Sequence, residues 1–175
     1  MPERVVTLGS LSKSHAMTGW RAGWMVGPQE LAERAELLTM CMLFGLPGFI
    51  QEAAVTALAL APEAEARMRA YCAARQQRFA DGIRGIRTLR PLAPEAGMFM
   101  LIDVRGTGLD GAQFMRALYA AQRVSVMDGA AFGASAAGCV RVCFAADEAT
   151  LDAACARLRR FCAHDLPALR AGARA

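Results

Sequence analysis

The sequence predicts an α/β protein. Three observations carry that expectation. Short apolar runs bounded by Gly and Pro read as strands, longer stretches repeat apolar residues at helical spacing, and the order runs strand, strand, helices, then β-α-β-β-α. The chain has 175 residues, of which 55% are hydrophobic and 21% charged, so it can bury a sizeable core and disorder is excluded as its general state.

The elements follow in order. Residues 4–8 read as a short buried strand, and residues 9–18, small and polar, as a loop or short helix. Residues 20–26 read as a second strand, closed by Gly27-Pro28. Leu31, Ala35, Leu38 and Met42 keep helical spacing, which predicts a helix from Gln29 to about Leu43. The Gly45 to Gly48 stretch breaks it, and an alanine-rich helix is expected over residues 49–61. Pro62 leads into a long polar helix to about Ile83, with Met68, Tyr71, Cys72, Arg75 and Phe79 along one side. Strands are expected over 97–104, 124–127 and 138–145, with a helix over 111–122. Asp147 is placed to cap a last helix whose apolar stripe is Leu151, Ala154, Cys155, Leu158, Phe161 and Cys162, and the Arg/Ala-rich tail after His164 is expected to fray. Two strands and two helices do not complete a sheet domain, so residues 1–61 are expected to be the incomplete end of a larger domain and 62–175 a small α+β domain.

Charge and cysteine content exclude several functions. The net charge of +4 comes from scattered basic residues, which argues against nucleic acid. The six cysteines form no CxxC pair and only two histidines are present, so zinc is not expected; the cysteines read as small buried residues in a reducing compartment. The first residues lack the apolar core of a signal peptide, and the nearest candidate for a membrane span, residues 39–50, contains Gly45, Pro47 and Gly48. A soluble cytoplasmic protein is expected.

The chemistry concentrates in residues 10–24, Ser-Leu-Ser-Lys-Ser-His-Ala-Met-Thr-Gly-Trp-Arg-Ala-Gly-Trp. Of 20 basic residues Lys13 is the only lysine, and a deprotonated amine can form an imine whereas a guanidinium cannot. Serines surround it at positions 10, 12 and 14, and Arg21 follows beside glycines. Hydroxyls, free backbone N–H groups and a guanidinium suit a phosphate, and a desolvated lysine nearby would be a nucleophile. That set fits pyridoxal 5′-phosphate (PLP) and equally a simple phosphate-ester site. Trp20 and Trp24 read as core, and His15 as a packed or exposed neighbour rather than a base. In residues 139–144, Val140, Val142 and Phe144 alternate with Cys139, Arg141 and Cys143, which sets Arg141 on one face of an apolar strand.

Ser-x-Ser-Lys followed by Gly-x-Arg-x-Gly resembles the lysine signature of the class I/II aminotransferases, PLP enzymes of fold type I. The resemblance continues through Gly27-Pro28, Leu46 to Gln51, Ala96 to Phe99 and Val140 to Ala145, so it spans nearly the whole chain in the family's order. Its wording is most similar to the aspartate/aromatic and arginine–pyruvate branch. The resemblance implies the C-terminal part of a PLP-binding large domain followed by the small domain. It implies Lys13 as the catalytic Schiff-base lysine and proton carrier. Ser10, Ser12 and Arg21 become cofactor-binding residues, Arg141 the clamp on the substrate α-carboxylate, and Gly97 the residue leaving room for substrate. It also implies a homodimer acting on an amino acid and a 2-oxo acid. No arginine stands near residues 41–44, where dicarboxylate-specific relatives carry one that serves the partner subunit's site, which argues against aspartate; arginine or another large amino acid with pyruvate is expected. The family's upstream Asp-x-x-Tyr and Asn-Pro-x-Gly segments do not occur in the sequence. The chain alone is therefore not expected to transaminate. The competing expectations are another fold type I enzyme, a lyase or synthase, and a non-catalytic fragment.

Overall fold

A computed structural model describes residues 2–172. The chain divides into two compact units, one reaching to Ala70 and the other beginning at Tyr71. That division lies inside a long helix, whereas the expected boundary after residue 61 falls at the helix's start.

The first unit opens with β1 (Thr7–Ser10), the single-turn helix α1 (Leu11–Ser14) and β2 (Gly23–Val26). β1 and β2 pair antiparallel, with Thr7 opposite Val26 and Ser10 opposite Gly23. The expected strand at 4–8 is thus displaced: Pro2–Arg4 form a 3-10 turn, and pairing starts at Thr7. The expected second strand is shorter too, because Thr18–Trp20 form a 3-10 turn and Arg21 takes a left-handed conformation at φ 54°. Neither strand is buried. Leu8 is 76% exposed and Val26 61%, since a two-stranded ribbon has no second layer of its own. Trp20 and Trp24, read from the sequence as core, are also exposed.

α2 (Gln29–Met42) and α3 (Gly48–Ala59) each start behind a proline, Pro28 and Pro47, whose fixed φ suits a helix entry. The predicted helical spacing is present, yet neither helix contains a buried residue. Leu38, Met42 and Val55 all lie more than half exposed. α4 (Ala61–Ile83) carries Pro62 in its first turn, where the missing N–H costs no hydrogen bond.

The second unit is a four-stranded antiparallel sheet in the order β3-β4-β6-β5, covered on one face by helices. Its strands are β3 (Arg90–Leu92), β4 (Phe99–Asp103), β5 (Met127–Asp128) and β6 (Cys139–Cys143). Met100 and Ile102 of β4, and Val140 and Val142 of β6, point to the covered face. They pack with Phe79 and Ile83 of α4, Phe114 and Leu118 of α5 (Gly111–Gln122), and Leu151 and Leu158 of α6 (Glu148–Arg160). Phe114 and Phe161 meet edge to face, with ring centroids 5.4 Å apart. The alternation read from the sequence is the cause: period-2 apolar residues fill one sheet face, and period-3.6 stripes close over it.

Caps fix the helix ends. The Asp110 carboxylate accepts from the Gln113 N–H at 2.7 Å, and the Gln113 side chain accepts from the Asp110 N–H, a reciprocal cap on α5. Asp147 caps α6 as expected, accepting from the Thr150 N–H at 2.8 Å. That bond and the Thr150 hydroxyl hold its carboxyl below the usual range. Three expectations need correction. β3 was not anticipated, because Pro91 disguises it; an edge strand tolerates proline since its outward N–H has no partner to lose. The strand expected at 124–127 pairs only at Met127 and Asp128. The expected fraying after His164 does not occur as far as Gly172, and residues 173–175 lie outside the described residues: a π-helical turn (Phe161–Asp165) leads into α7 (Leu166–Gly172), pinned by Leu166 at 2% exposure.

The Asp103 carboxylate fastens the far end of β4. It accepts from Arg105 Nη2 at 2.6 Å and from Arg90 Nη2, across the β3–β4 pair, at 2.9 Å. These guanidinium contacts, Arg105 first, hold it well below the usual carboxylate range despite its burial. The cysteines form no disulfide among the described residues and do not all fit the reading of small buried residues. Cys139 and Cys155 are buried and their thiols are pushed up by desolvation, while Cys41 and Cys143 are exposed.

Candidate active site

The ribbon of the first unit builds a turn around Lys13. Leu11, 1% exposed, plugs it from inside, and its N–H donates to the Ala22 carbonyl at 3.2 Å. The Leu11 carbonyl then accepts from the N–H groups of His15 and Met17. The excursion from β1 to β2 is therefore closed at its base, which brings Ser10 and Arg21 to one end of the ribbon with Lys13 between them in sequence. Gly23 permits this closeness, because a Cβ there would stand 2.7 Å from the Gly9 carbonyl oxygen of the opposing strand.

Within that turn Ser10 is the N-cap of α1, its hydroxyl accepting from the Ser12 N–H at 3.1 Å. The Ser14 hydroxyl donates to the Ser10 carbonyl at 3.2 Å and lies 2.8 Å from His15 Nδ1. His15 Nε2 is enclosed with no hydrogen-bond partner among the described residues. Arg21 donates from Nη1 to the Thr18 carbonyl at 2.8 Å, which anchors one side of its guanidinium. Lys13 lies in the last turn of α1, exposed and outside any ion pair among the described residues. One amine, two serine hydroxyls and a guanidinium at one end of a tight ribbon are a donor set that fits a phosphorylated aldehyde.

Arg141 and Gly97 belong to the second unit. Arg141 projects from the sheet face opposite the core, directly across from Leu101 on one side and Met127 on the other. Its guanidinium carbon lies 4.2 Å from the Phe99 ring centroid and 3.8 Å from that of Phe132, and Nη2 donates to Met127 Sδ at 3.0 Å. Among the described residues no carboxylate lies within ion-pair distance. Gly97 sits just before β4 at φ +84°, a conformation that a side chain would strain, and the space a Cβ would take is open. Sequence reasoning placed Arg141 on its face but missed Phe99 and Phe132 as its neighbours. The β4–β6 register brings in the first and the 3-10 turn Gly129–Phe132 the second, and neither is written in local periodicity.

The description "Aminotransferase class I and II" matches residues 1–158 as a family model. The chain belongs to this family. Over 95% of its length this aminotransferase chain is 47% identical to an arginine–pyruvate transaminase of Pseudomonas aeruginosa, covering 42% of that protein. It is 27% identical to an aspartate aminotransferase of Pyrococcus horikoshii over 91% of its length and 41% of that relative. Among solved structures, an aromatic aminotransferase from Pyrococcus horikoshii superposes with a TM-score of 0.86 at 30% identity, over 95% of this chain and 45% of that one. A double mutant of the aspartate aminotransferase of Thermus thermophilus gives 0.81 at 26% identity, over 91% and 41%. The chain thus spans less than half the length of the relatives it matches. Its fold is the C-terminal part of a fold type I, PLP-dependent transferase, and the family is generally PLP-dependent.

Proposed function

We propose that this chain is the lysine-bearing portion of a PLP-dependent aminotransferase that moves an amino group from an L-amino acid to a 2-oxo acid, with arginine and pyruvate as the pair to test first. One observation carries the proposal: the closed ribbon end gathers Ser10, Arg21 and the sole lysine in a chain of this family. The arginine–pyruvate relative supports the substrate pair.

The roles follow from each group's chemistry. Ser10, Ser12 and Arg21 hold the PLP phosphate, the hydroxyls as neutral donors and Arg21 as its counter-charge. Bound PLP supplies the electron sink that stabilises charge at the substrate's α-carbon. The Lys13 Nζ holds the cofactor and carries the proton that leaves that α-carbon. Arg141 clamps the α-carboxylate, and Gly97 leaves room for the substrate. Residues 1–61 belong to the cofactor-binding large domain and 62–175 to the small domain of a cytoplasmic homodimer.

The chain by itself is proposed not to turn over. Its lysine is exposed rather than desolvated, and α2 and α3 carry exposed apolar residues that further polypeptide would have to cover.

The test uses borohydride reduction of the purified chain with PLP, followed by peptide mapping, with pyridoxal as the phosphate-free control. The expected result is reduction onto Lys13, favoured for PLP over pyridoxal, with the preference abolished by Arg21→Leu. Equal labelling by both aldehydes would refute the phosphate site. Turnover of arginine and pyruvate by the chain alone would refute its inactivity. Products other than alanine and the oxo acid from a complete enzyme would make it a lyase or synthase.

A further inference from the structure

We infer that Phe99 and Phe132 are positioning residues that hold the Arg141 guanidinium ready for a carboxylate; this rests on the reading of Arg141 as the carboxylate clamp. The contacts of Arg141 are unusual for an arginine at a sheet surface. Two aromatic rings lie against its guanidinium at 4.2 and 3.8 Å, and one N–H group meets a thioether sulfur. Arg75, Arg78, Arg84, Arg90 and Arg105 of the second unit each pair with a carboxylate, and Arg123 lies over one ring, Tyr119, whereas Arg141 lies between two rings and pairs with no carboxylate among the described residues. A guanidinium is weakly hydrated across its faces and strongly hydrogen-bonding at its edges. Rings take up the faces and leave the edges, where a carboxylate binds in two-point fashion. Met127 is a weak acceptor and yields to a carboxylate oxygen at little cost.

The rings also remove freedom in advance. An unrestrained arginine gives up side-chain entropy when it closes on a ligand, and one already stacked gives up less. The backbone supports the arrangement. Phe99 lies diagonal to Arg141 across the β4–β6 ladder, where Leu101 is opposite Arg141 and Phe99 opposite Cys143. Phe132 ends the 3-10 turn whose N-cap, Asp128, pairs with Val140 beside Arg141. Both rings are partly open, at 39% and 46% exposure, so shortening them does not hollow the core.

The experiment titrates the chain with pyruvate and follows the Arg141 side-chain Nε–H resonance by NMR, assigned by its loss in Arg141→Lys. The expected result for the native chain is a ring-shifted Arg141 signal that moves saturably with pyruvate. Phe99→Leu and Phe132→Leu should each weaken the apparent affinity about threefold, and the double variant about tenfold, from the usual worth of an exposed cation–π contact. Phe99→Tyr and Phe132→Tyr keep the ring face and should restore near-native affinity, which a merely structural effect would not predict. Leucine variants that are folded and bind pyruvate as the native chain does overturn the positioning role and leave the clamp intact. A native Arg141 signal that does not respond to pyruvate overturns the clamp itself, and the positioning role with it.

Discussion

Asp103→Asn should destabilise the second unit by about 2 kcal/mol at neutral pH, and the loss should fade in acid. Four donors reach this carboxylate. The Arg105 N–H and Nε meet Oδ1 at 3.0 Å, and Arg105 Nη2 and Arg90 Nη2 meet Oδ2 at 2.6 and 2.9 Å. The aspartate side chain is only 9% exposed, but Arg90 and Arg105 are 68% and 66% exposed. Asparagine keeps the shape and one acceptor, so the backbone bond survives and the two guanidinium pairs do not. A fully buried charge-assisted bond is worth about 1.5–3 kcal/mol, and exposed guanidiniums reduce each pair to about 1 kcal/mol. No buried charge is left behind, which keeps the cost below that of breaking a buried pair. Folding lowers this carboxyl from the ordinary 3.8, so its contribution is complete above that value and is lost as pH falls toward the depressed folded value. Urea unfolding of both proteins, followed by circular dichroism at several pH values, measures the gap. A gap below about 0.5 kcal/mol at pH 7, or one unchanged at about pH 2.5, would refute the assignment.

Gly82→Ala places a Cβ against Cys155 Sγ and 2.9 Å from its Cβ, so it should cost about 1 kcal/mol in urea despite alanine's better helix propensity, and Cys155→Ala added to it should recover part of the loss. Asp110→Ala removes the reciprocal cap of α5 and should cost about 1 kcal/mol, read from the same unfolding curves. Iodoacetamide mapping of the native chain should label Cys41 and Cys143 first and Cys139 and Cys155 last, because burial both hides the latter thiols and keeps them protonated.

Local patterns made much of the second unit legible. The α5 limits, the Asp147 cap and the α6 stripe all follow from short-range rules of periodicity and capping. β3 escaped because proline reads as a breaker, and only the sheet shows it to be an edge. The environment of Arg141 escaped for a related reason. Its strand alternation was readable, but Phe132 comes from a turn whose approach depends on the β5–β6 pairing. In the first unit the helical spacing of Leu31, Leu38 and Met42 correctly gave a helix, yet that helix contains no buried residue. Periodicity reports which face is apolar, and burial also needs something to cover that face.

The same distinction bears on Lys13. Its motif was legible because it is local: Ser10, Ser12, Lys13 and Arg21 lie within one excursion that Leu11 and Ala22 close. What turns such a lysine into a nucleophile is not local. An ammonium in water holds its proton, and only removal of that water, or a nearby positive charge, makes the free amine common at neutral pH. In this chain Lys13 stands exposed, in the same unit whose helices α2 and α3 bury nothing. One apolar layer laid over this unit would change both. If that layer is what activates the lysine, adding it should convert binding into chemistry. Joined to the remaining large-domain polypeptide of a complete enzyme, the chain should bind PLP through the same lysine and gain turnover of an amino acid with pyruvate. A joined protein that buries α2 and α3 by amide exchange, binds PLP at Lys13 and still fails to transaminate would separate burial from activation, and would place the missing determinant in specific side chains.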